Sequence, residues 1–249
     1  MEPKFDRSLL TFNPKNHGHY YEGKRLLGVT TALGIISKGD ALVQWSANQA
    51  IEYCRSKLVG EITQEYLDQV FQEAKKHWRT VKQEAADIGT YAHNWIEQFL
   101  KGFNPSEFEH EDTEIQRKVR NSCGAAVKWI ETHHWKTISI ERQIFIPKLG
   151  VGGICDWHAY IDGVPAVPDW KTSKSIYSSY RYQTAAYAHG IEEEVGEKVR
   201  ERWVLRIDKE TGEFEDLRLP RAEFAADYKA FKNAVQLYRR EQELRKGSW

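Results

Sequence analysis

At Thr137 the spacing of apolar side chains changes from every three or four residues to every two, and this change limits the folds open to the chain. Upstream, Tyr66, Val70, Phe71, Ala74 and Trp78, and then Ile88, Ala92, Trp95, Ile96 and Phe99, recur on one face of a helix. Downstream, Ile138, Ile140, Ile144 and Ile146 alternate with Ser139, Glu141 and Gln143, the period of a half-buried strand. The spacing predicts helices over 42–58, 63–100, 113–133, 180–191 and 222–246, and strands over 137–146, 154–161, 164–172 and 202–208. Near the start, Tyr20, Tyr21, the Glu22-Gly23 turn signal and Leu26, Leu27, Val29 and Thr30 suggest a short hairpin or strand. Residues 37–40 and 102–105 break the helical pattern, and 107–112 form an acidic loop. The resulting order predicts an α/β or α+β core, with a central mixed sheet flanked by helices, behind a helical N-terminal region.

Composition narrows the classes further. With 41% hydrophobic residues in 249, the chain can bury a core, which excludes disordered and collagen-like classes. Cys54, Cys123 and Cys155 lie far apart and form no CxxC pair, which fits a reduced cytosol and offers no four-thiolate zinc or iron–sulfur site. No stretch approaches the roughly 20 apolar residues of a membrane span, and the start lacks the apolar core of a secretory signal, so a cytoplasmic, non-membrane protein is expected. Basic and acidic side chains balance at 36 each, so any nucleic-acid partner has to be held by a local groove rather than by an overall basic excess.

The Asp162-Gly163 pair reads as the two-residue loop of a type I′ hairpin. Counting outward from that loop, Asp156 stands opposite Asp169, where directly opposed residues share a face with Cβ atoms about 4.5–5.5 Å apart. Lys171, two residues along, joins that face. Two carboxylates so close repel each other unless a cation sits between them, and a divalent metal is the usual solution. The plainer reading is an exposed strand face on which Lys171 serves as an ion-pair partner. Pro168 falls at a hydrogen-bonded position opposite Trp157 with no N–H to offer, so the ladder is expected to splay there and open a cleft.

Other positions bear on the same question. His93 and Glu97 are four apart and share a helix face, so His93 can present an imidazole to a metal with Glu97 behind it, or serve as a structural histidine beside a solvated glutamate. Gly89 inside the same helix costs about 1 kcal/mol relative to alanine, which close approach of a backbone or ligand would rationalise. Gln183 and Tyr187 share another helix face and can either donate to phosphate oxygens and stack on a base or be ordinary surface. Ala185, Ala186 and Ala188 let that helix lie close on a sheet.

Taken in order, Gly89-Thr90-x-x-His93, Gly153-x-x-Asp156, Asp169-x-Lys171 and Gln183-x-x-x-Tyr187 resemble the motifs of the PD-(D/E)xK nuclease superfamily. The similarity is to the RecB-type branch, which includes phage exonucleases and the mitochondrial genome-maintenance exonuclease. Pro168 matches the proline of the superfamily's name, and Gly28-Val29-Thr30-Thr31, followed by Lys38, Leu42 and Trp45, is similar to the start of phage-encoded members. The resemblance runs loosely from about residue 26 to 208. It implies one nuclease domain with a restriction-endonuclease-like core over about 81–215, an N-terminal strand and helical region over about 1–80, and a C-terminal helix over about 220–249.

The resemblance also implies roles. Asp156 and Asp169, with the backbone carbonyl of Trp170 and the His93 imidazole, would hold Mg²⁺ or Mn²⁺. Lys171 would orient the attacking water or stabilise charge on the phosphate. Gln183 and Tyr187 would hold the DNA strand or the lysine, and Glu97 and Glu141 would be supporting carboxylates. Elementary chemistry agrees, because a phosphodiester repels hydroxide and its hydrolysis needs a cation to neutralise it, acidify a water and support the departing oxyanion. Oxygen ligands suit Mg²⁺ and Mn²⁺, and one imidazole tilts the set toward Mn²⁺. Iron–sulfur members of the branch use four cysteines flanking the core, which this chain lacks, so no iron–sulfur cluster is expected. There is no P-loop, so any helicase activity would come from another chain.

The expectation is a metal-dependent DNA exonuclease acting at DNA ends in phage-type recombination, replication or DNA degradation, in the cytoplasm of a phage-infected or bacterial cell. Its expected partners are DNA and a single-strand annealing or recombination protein. The alternatives are an endonuclease or structure-specific nuclease on the same core, a silent DNA-binding module, and a structural member of a recombination complex. The intact Asp, Asp, Lys set argues against the silent module, which has no use for paired acids facing a phosphate.

Overall fold

The computed structural model describes residues 5–36, 39–103, 105 and 108–247, with the backbone alone for 39–41. Ser37, Lys38 and Glu107, which figure in the expected loops and N-terminal motif, lie outside the described residues. The chain forms two compact units, one of residues 37–91 and one of the remainder.

In the larger unit, β1 (Leu10–Asn13), β2 (Gly18–Tyr21) and β3 (Lys24–Arg25) make a small antiparallel sheet. Its second turn is the Glu22-Gly23 pair, whose φ values of 49° and 72° are the left-handed angles a two-residue hairpin requires. The chain then forms β4 (Leu27–Gly28), but the expected strand ends there, and Val29 opens a short helix, α1 (Val29–Leu33). Val29, Ala32 and Leu33 are all buried, and only the helical period puts those three on one side.

The smaller unit holds α2 (Gly39–Lys57) and the first part of α3 (Gln64–Leu100), a helix that continues into the larger unit. The expected start at Thr63 is borne out, since its hydroxyl accepts from the Tyr66 N–H at 3.3 Å. Tyr53 of α2 donates to the Glu73 carboxylate at 2.6 Å and its ring lies 4.6 Å from that of His77.

The rest of the larger unit is α4 (Thr113–Glu131), β5 (Trp135–Ile146), β6 (Val151–Ile161), β7 (Val164–Lys171), α5 (Ser178–Val195), β8 (Glu201–Ile207), β9 (Phe214–Pro220) and α6 (Phe224–Lys246). The strands form one mixed sheet in the order β4-β6-β7-β8-β9, with β5 lying along β6. β7 and β8 are parallel and are joined through α5, while β5, β6 and β7 run as antiparallel neighbours. Helices cover both faces. Val29, Ile144, Ile146, Val167, Ile191, Phe231 and Val235 pack together on the side of α1, α5 and α6. Ile96, Trp129, Ile130, Trp157, Trp170 and Leu205 pack together on the side of α4 and the end of α3. Among the described residues no helix is long and apolar enough to cross a membrane.

Two departures from the expected strands have physical causes. β9 was not anticipated because it is an edge strand burying only Leu219, which leaves almost no alternation to read. In β5 the pairing shifts between Thr137 and Ser139, Ile138 is 41% exposed, and Glu141 has a φ of 48°. These irregularities turn the strand, so Ile140 packs on the α4 side while Ile144 and Ile146 pack on the α5 side. The four isoleucines therefore do not share one face.

The hairpin between β6 and β7 follows the expected register, with Ile161 opposite Val164, Tyr160 opposite Pro165 and Ala159 opposite Ala166. The pairing ends there, two residues short of Pro168, and the strands separate beyond it. α5 lies close on the sheet because Ala185, Ala186, Ala188 and Gly190 present almost no side chain to it. α6 is fastened through charge. Arg202 of β8, 2% exposed, donates to Asp227 of α6 at 2.8 Å and to the Arg181 carbonyl at 2.9 Å, and Arg181 reaches the same carboxylate at 3.3 Å.

A Cβ on Gly190 would stand 2.0 Å from the Ile144 Cγ2. Gly190→Ala is expected to destabilise the protein by about 1–3 kcal/mol through overpacking, although alanine is the better helix former by about 1 kcal/mol. Urea denaturation measures this, and an unchanged or raised midpoint would contradict the packing described.

Candidate metal centre

Where β6 and β7 part, Asp156 and Asp169 stand on the two separating strands. Asp169 is fully buried, and its Oδ1 accepts from the Gln183 side-chain amide at 3.3 Å. Its Oδ2 forms an ion pair with Lys171. The Asp156 Oδ2 accepts from the Trp170 N–H at 3.0 Å, so the backbone of one strand holds the acid of the other in place of a ladder bond. The His93 Nδ1 of α3 is 3.6 Å from the same oxygen. With the Trp170 N–H and the His93 imidazole both against Asp156, the four expected ligand residues come together at one place.

The charges of this group explain its titration. Burial pushes the Asp156 carboxyl up, partly offset by Lys171 and by the Trp170 N–H. Burial and the Asp156 charge raise Asp169 to about 6 against the pull of Lys171. Lys171 is held above the usual lysine range because both carboxylates outweigh its own desolvation. The His93 imidazole is pushed down by loss of solvent and by the Lys171 ammonium, which keeps it neutral at pH 7 with a lone pair to offer.

Gln183 and Tyr187 are both buried, and the Gln183 amide donates to the Tyr187 hydroxyl at 2.9 Å as well as to Asp169. They therefore orient Asp169 from behind, rather than reaching Lys171 or the surface. Gly153 makes this fit: a Cβ there would stand 2.9 Å from the Tyr187 ring and 3.1 Å from Val29. The glycine three residues before Asp156 is thus the space into which the tyrosine packs.

Of the two supporting carboxylates, Glu141 acts with the acids of this group, while Glu97 acts only on Glu141. Glu97 is in an ion pair with Lys101. Glu141 stands opposite Asp156 in the register, between Ile140 opposite Trp157 and Arg142 opposite Cys155. Glu141 is exposed at the surface, yet partial loss of solvent together with Asp156, Glu97 and Asp169 pushes its carboxyl up to about 8. The irregular backbone at Glu141 was not legible beforehand, since nothing in an alternating run marks a residue at φ 48°. Tyr180 was missed altogether. The Lys171 ammonium lies 5.2 Å from the centre of its ring, a cation–π contact. Its signal was present, because Tyr180, Gln183 and Tyr187 fall three and seven residues along one helix face.

Among the described residues no three His, Cys, Asp or Glu side chains enclose a common point as they are placed. The donor set nonetheless fits a hard divalent cation: two carboxylates, a neutral imidazole and a backbone carbonyl, with one carboxylate fully buried. Meanwhile Lys171 and the Trp170 N–H partner the acids. Comparison of the sequence with protein-family models gives no match, and comparison with curated proteins gives none.

The raised Glu141 carboxyl has a consequence for stability. Its folded form keeps a proton that the unfolded chain has already lost, so its contribution fades as pH climbs from the ordinary carboxylate value of 4.5 through about 8. In EDTA, the melting temperature of the wild type is expected to fall more steeply between pH 6 and 8.5 than that of Glu141→Gln. Superimposable curves would remove Glu141 from the acidic group.

Proposed function

We propose that this chain is a metal-dependent deoxyribonuclease with a restriction-endonuclease-like core, and that it acts as an exonuclease on DNA ends. The observation that carries the reading is the fully buried Asp169, paired with Lys171 and facing a second, half-buried acid on the parting strand. A merely structural ion pair needs one acid, and the second, desolvated one adds repulsion that a bound cation would relieve. In this reading Asp156, Asp169, the Trp170 carbonyl and His93 hold Mg²⁺ or Mn²⁺. When bound, such an ion neutralises the phosphate and makes a water acidic enough to attack.

The residues of the chain then divide the remaining work. Lys171 lies beside Asp169 on the strand that carries it, so it donates to the attacking water or to a phosphate oxygen next to the metal ligands. Gln183 and Tyr187 fix the rotamer of Asp169, so that its second oxygen points at Lys171 and the open side. His93 stays neutral and is a ligand rather than a competing cation. Glu141 enlarges the negative field around the ion, and Glu97 acts through Glu141.

End-labelled single- and double-stranded DNA, carrying 5′ or 3′ label, tests this in Mg²⁺ and in Mn²⁺. Asp169→Ala is expected to abolish cleavage, and Lys171→Ala to slow it by about 10²–10⁴-fold, with both variants folded by circular dichroism. Wild-type rates in either variant would defeat the proposal. Closed circular DNA should stay intact; its linearisation would turn the reading to an endonuclease on the same core.

A further inference from the structure

The smaller unit carries a charged surface that the proposed chemistry does not use. In α3, Lys75, Arg79 and Lys82 are four and three residues apart and share one helix face, with Lys76 beside them; all four are exposed. Like charges at these spacings repel by a few tenths of a kcal/mol per pair. Helices usually offset this with acids one turn away, but here the acids are otherwise engaged. Glu73 accepts from Tyr53 and Gln69, Asp68 from Gln64, and Asp87 from Gln83, all neutral donors. Glu84 is about two and a half turns past Lys75 and so lies on the opposite face of the helix. Among the described residues none of the four cations has an anionic partner, and the Arg79 guanidinium lies 5.5 Å from the centre of the half-buried Trp78 ring. Lys75 and Lys82 are about 10 Å apart along the axis, about three phosphate-to-phosphate spacings of one DNA strand, which four phosphates span.

We infer that this face of α3 is a DNA-backbone binding surface, in which Lys75, Lys76, Arg79 and Lys82 contact consecutive phosphates while Trp78 braces Arg79. The choice of DNA among polyanions rests on the nuclease reading. The contact itself is electrostatic and independent of base sequence, and it operates without a metal ion. It also accounts for how a chain with no net charge holds a polyanion, since four of its 36 basic residues are set apart on one face.

The test is fluorescence anisotropy of a 5′-labelled 30-nucleotide thymidine oligonucleotide with the full chain, in EDTA, across 50–200 mM KCl. Each phosphate contact to a single strand adds about 0.7 to the slope of log affinity against log salt, so replacing all four cations by alanine should flatten the slope by about 3. Alanine favours helix, and a second variant with four glutamines repeats the measurement on a different side chain; circular dichroism reports whether each is folded. Folded variants that bind with wild-type slope and affinity, or a wild-type chain that does not bind, would overturn the inference. A wild type that binds with the steep slope but never cleaves would defeat the nuclease reading while leaving this surface intact.

Discussion

A fully buried carboxylate next to a half-buried one is unstable unless something positive comes between or beside them, and much of the larger unit is arranged around that fact. Asp169 has no solvent to share its charge, so Lys171 and the Gln183 amide take up its two oxygens. Asp156 accepts from the Trp170 N–H, lies 3.6 Å from the His93 imidazole and feels the Lys171 charge without an ion pair of its own to it. The raised titration of both acids measures what this partial compensation leaves over. Around this pair the sheet, α5 and the end of α3 act as a scaffold whose glycines and alanines bring the polar groups within reach.

The strand separation is as necessary as the charges. Had the ladder between β6 and β7 continued past Ala159 and Ala166, the backbone groups near Asp156 and Asp169 would have bonded each other. Instead the Trp170 N–H is free to hold a carboxylate. A parallel neighbour makes this affordable in stability: β7 pairs with β8 along the stretch where it leaves β6, from Ala166 opposite Glu201 to Lys171 opposite Arg206. The strand that opens on one side is secured on the other.

The parts of this arrangement visible in the sequence were those governed by local rules. The Asp162-Gly163 turn fixes register, register fixes which acids face each other, and Pro168 marks where pairing fails. Helical spacing likewise located α3, α4 and α5 to within a few residues, and with them His93, Gln183 and Tyr187. What escaped depended on tertiary contacts. β9 is held by β8 rather than by its own pattern, α1 is helical because three buried residues demand it, and Glu141 reaches the acidic group through a distorted backbone. The contact between Tyr180 and Lys171 was readable from spacing, but only once Gln183 and Tyr187 were known to face inward.

The buried pair of Arg202 and Asp227 ties the centre of the sheet to the last helix. A guanidinium stranded in the core without its partner costs about 3–5 kcal/mol, a large share of the stability of an ordinary domain. Arg202 lies on the strand that pairs with Asp169 and Lys171, so the counter-charge supplied by the last helix sits one strand away from the acidic centre, and losing Asp227 would be felt there.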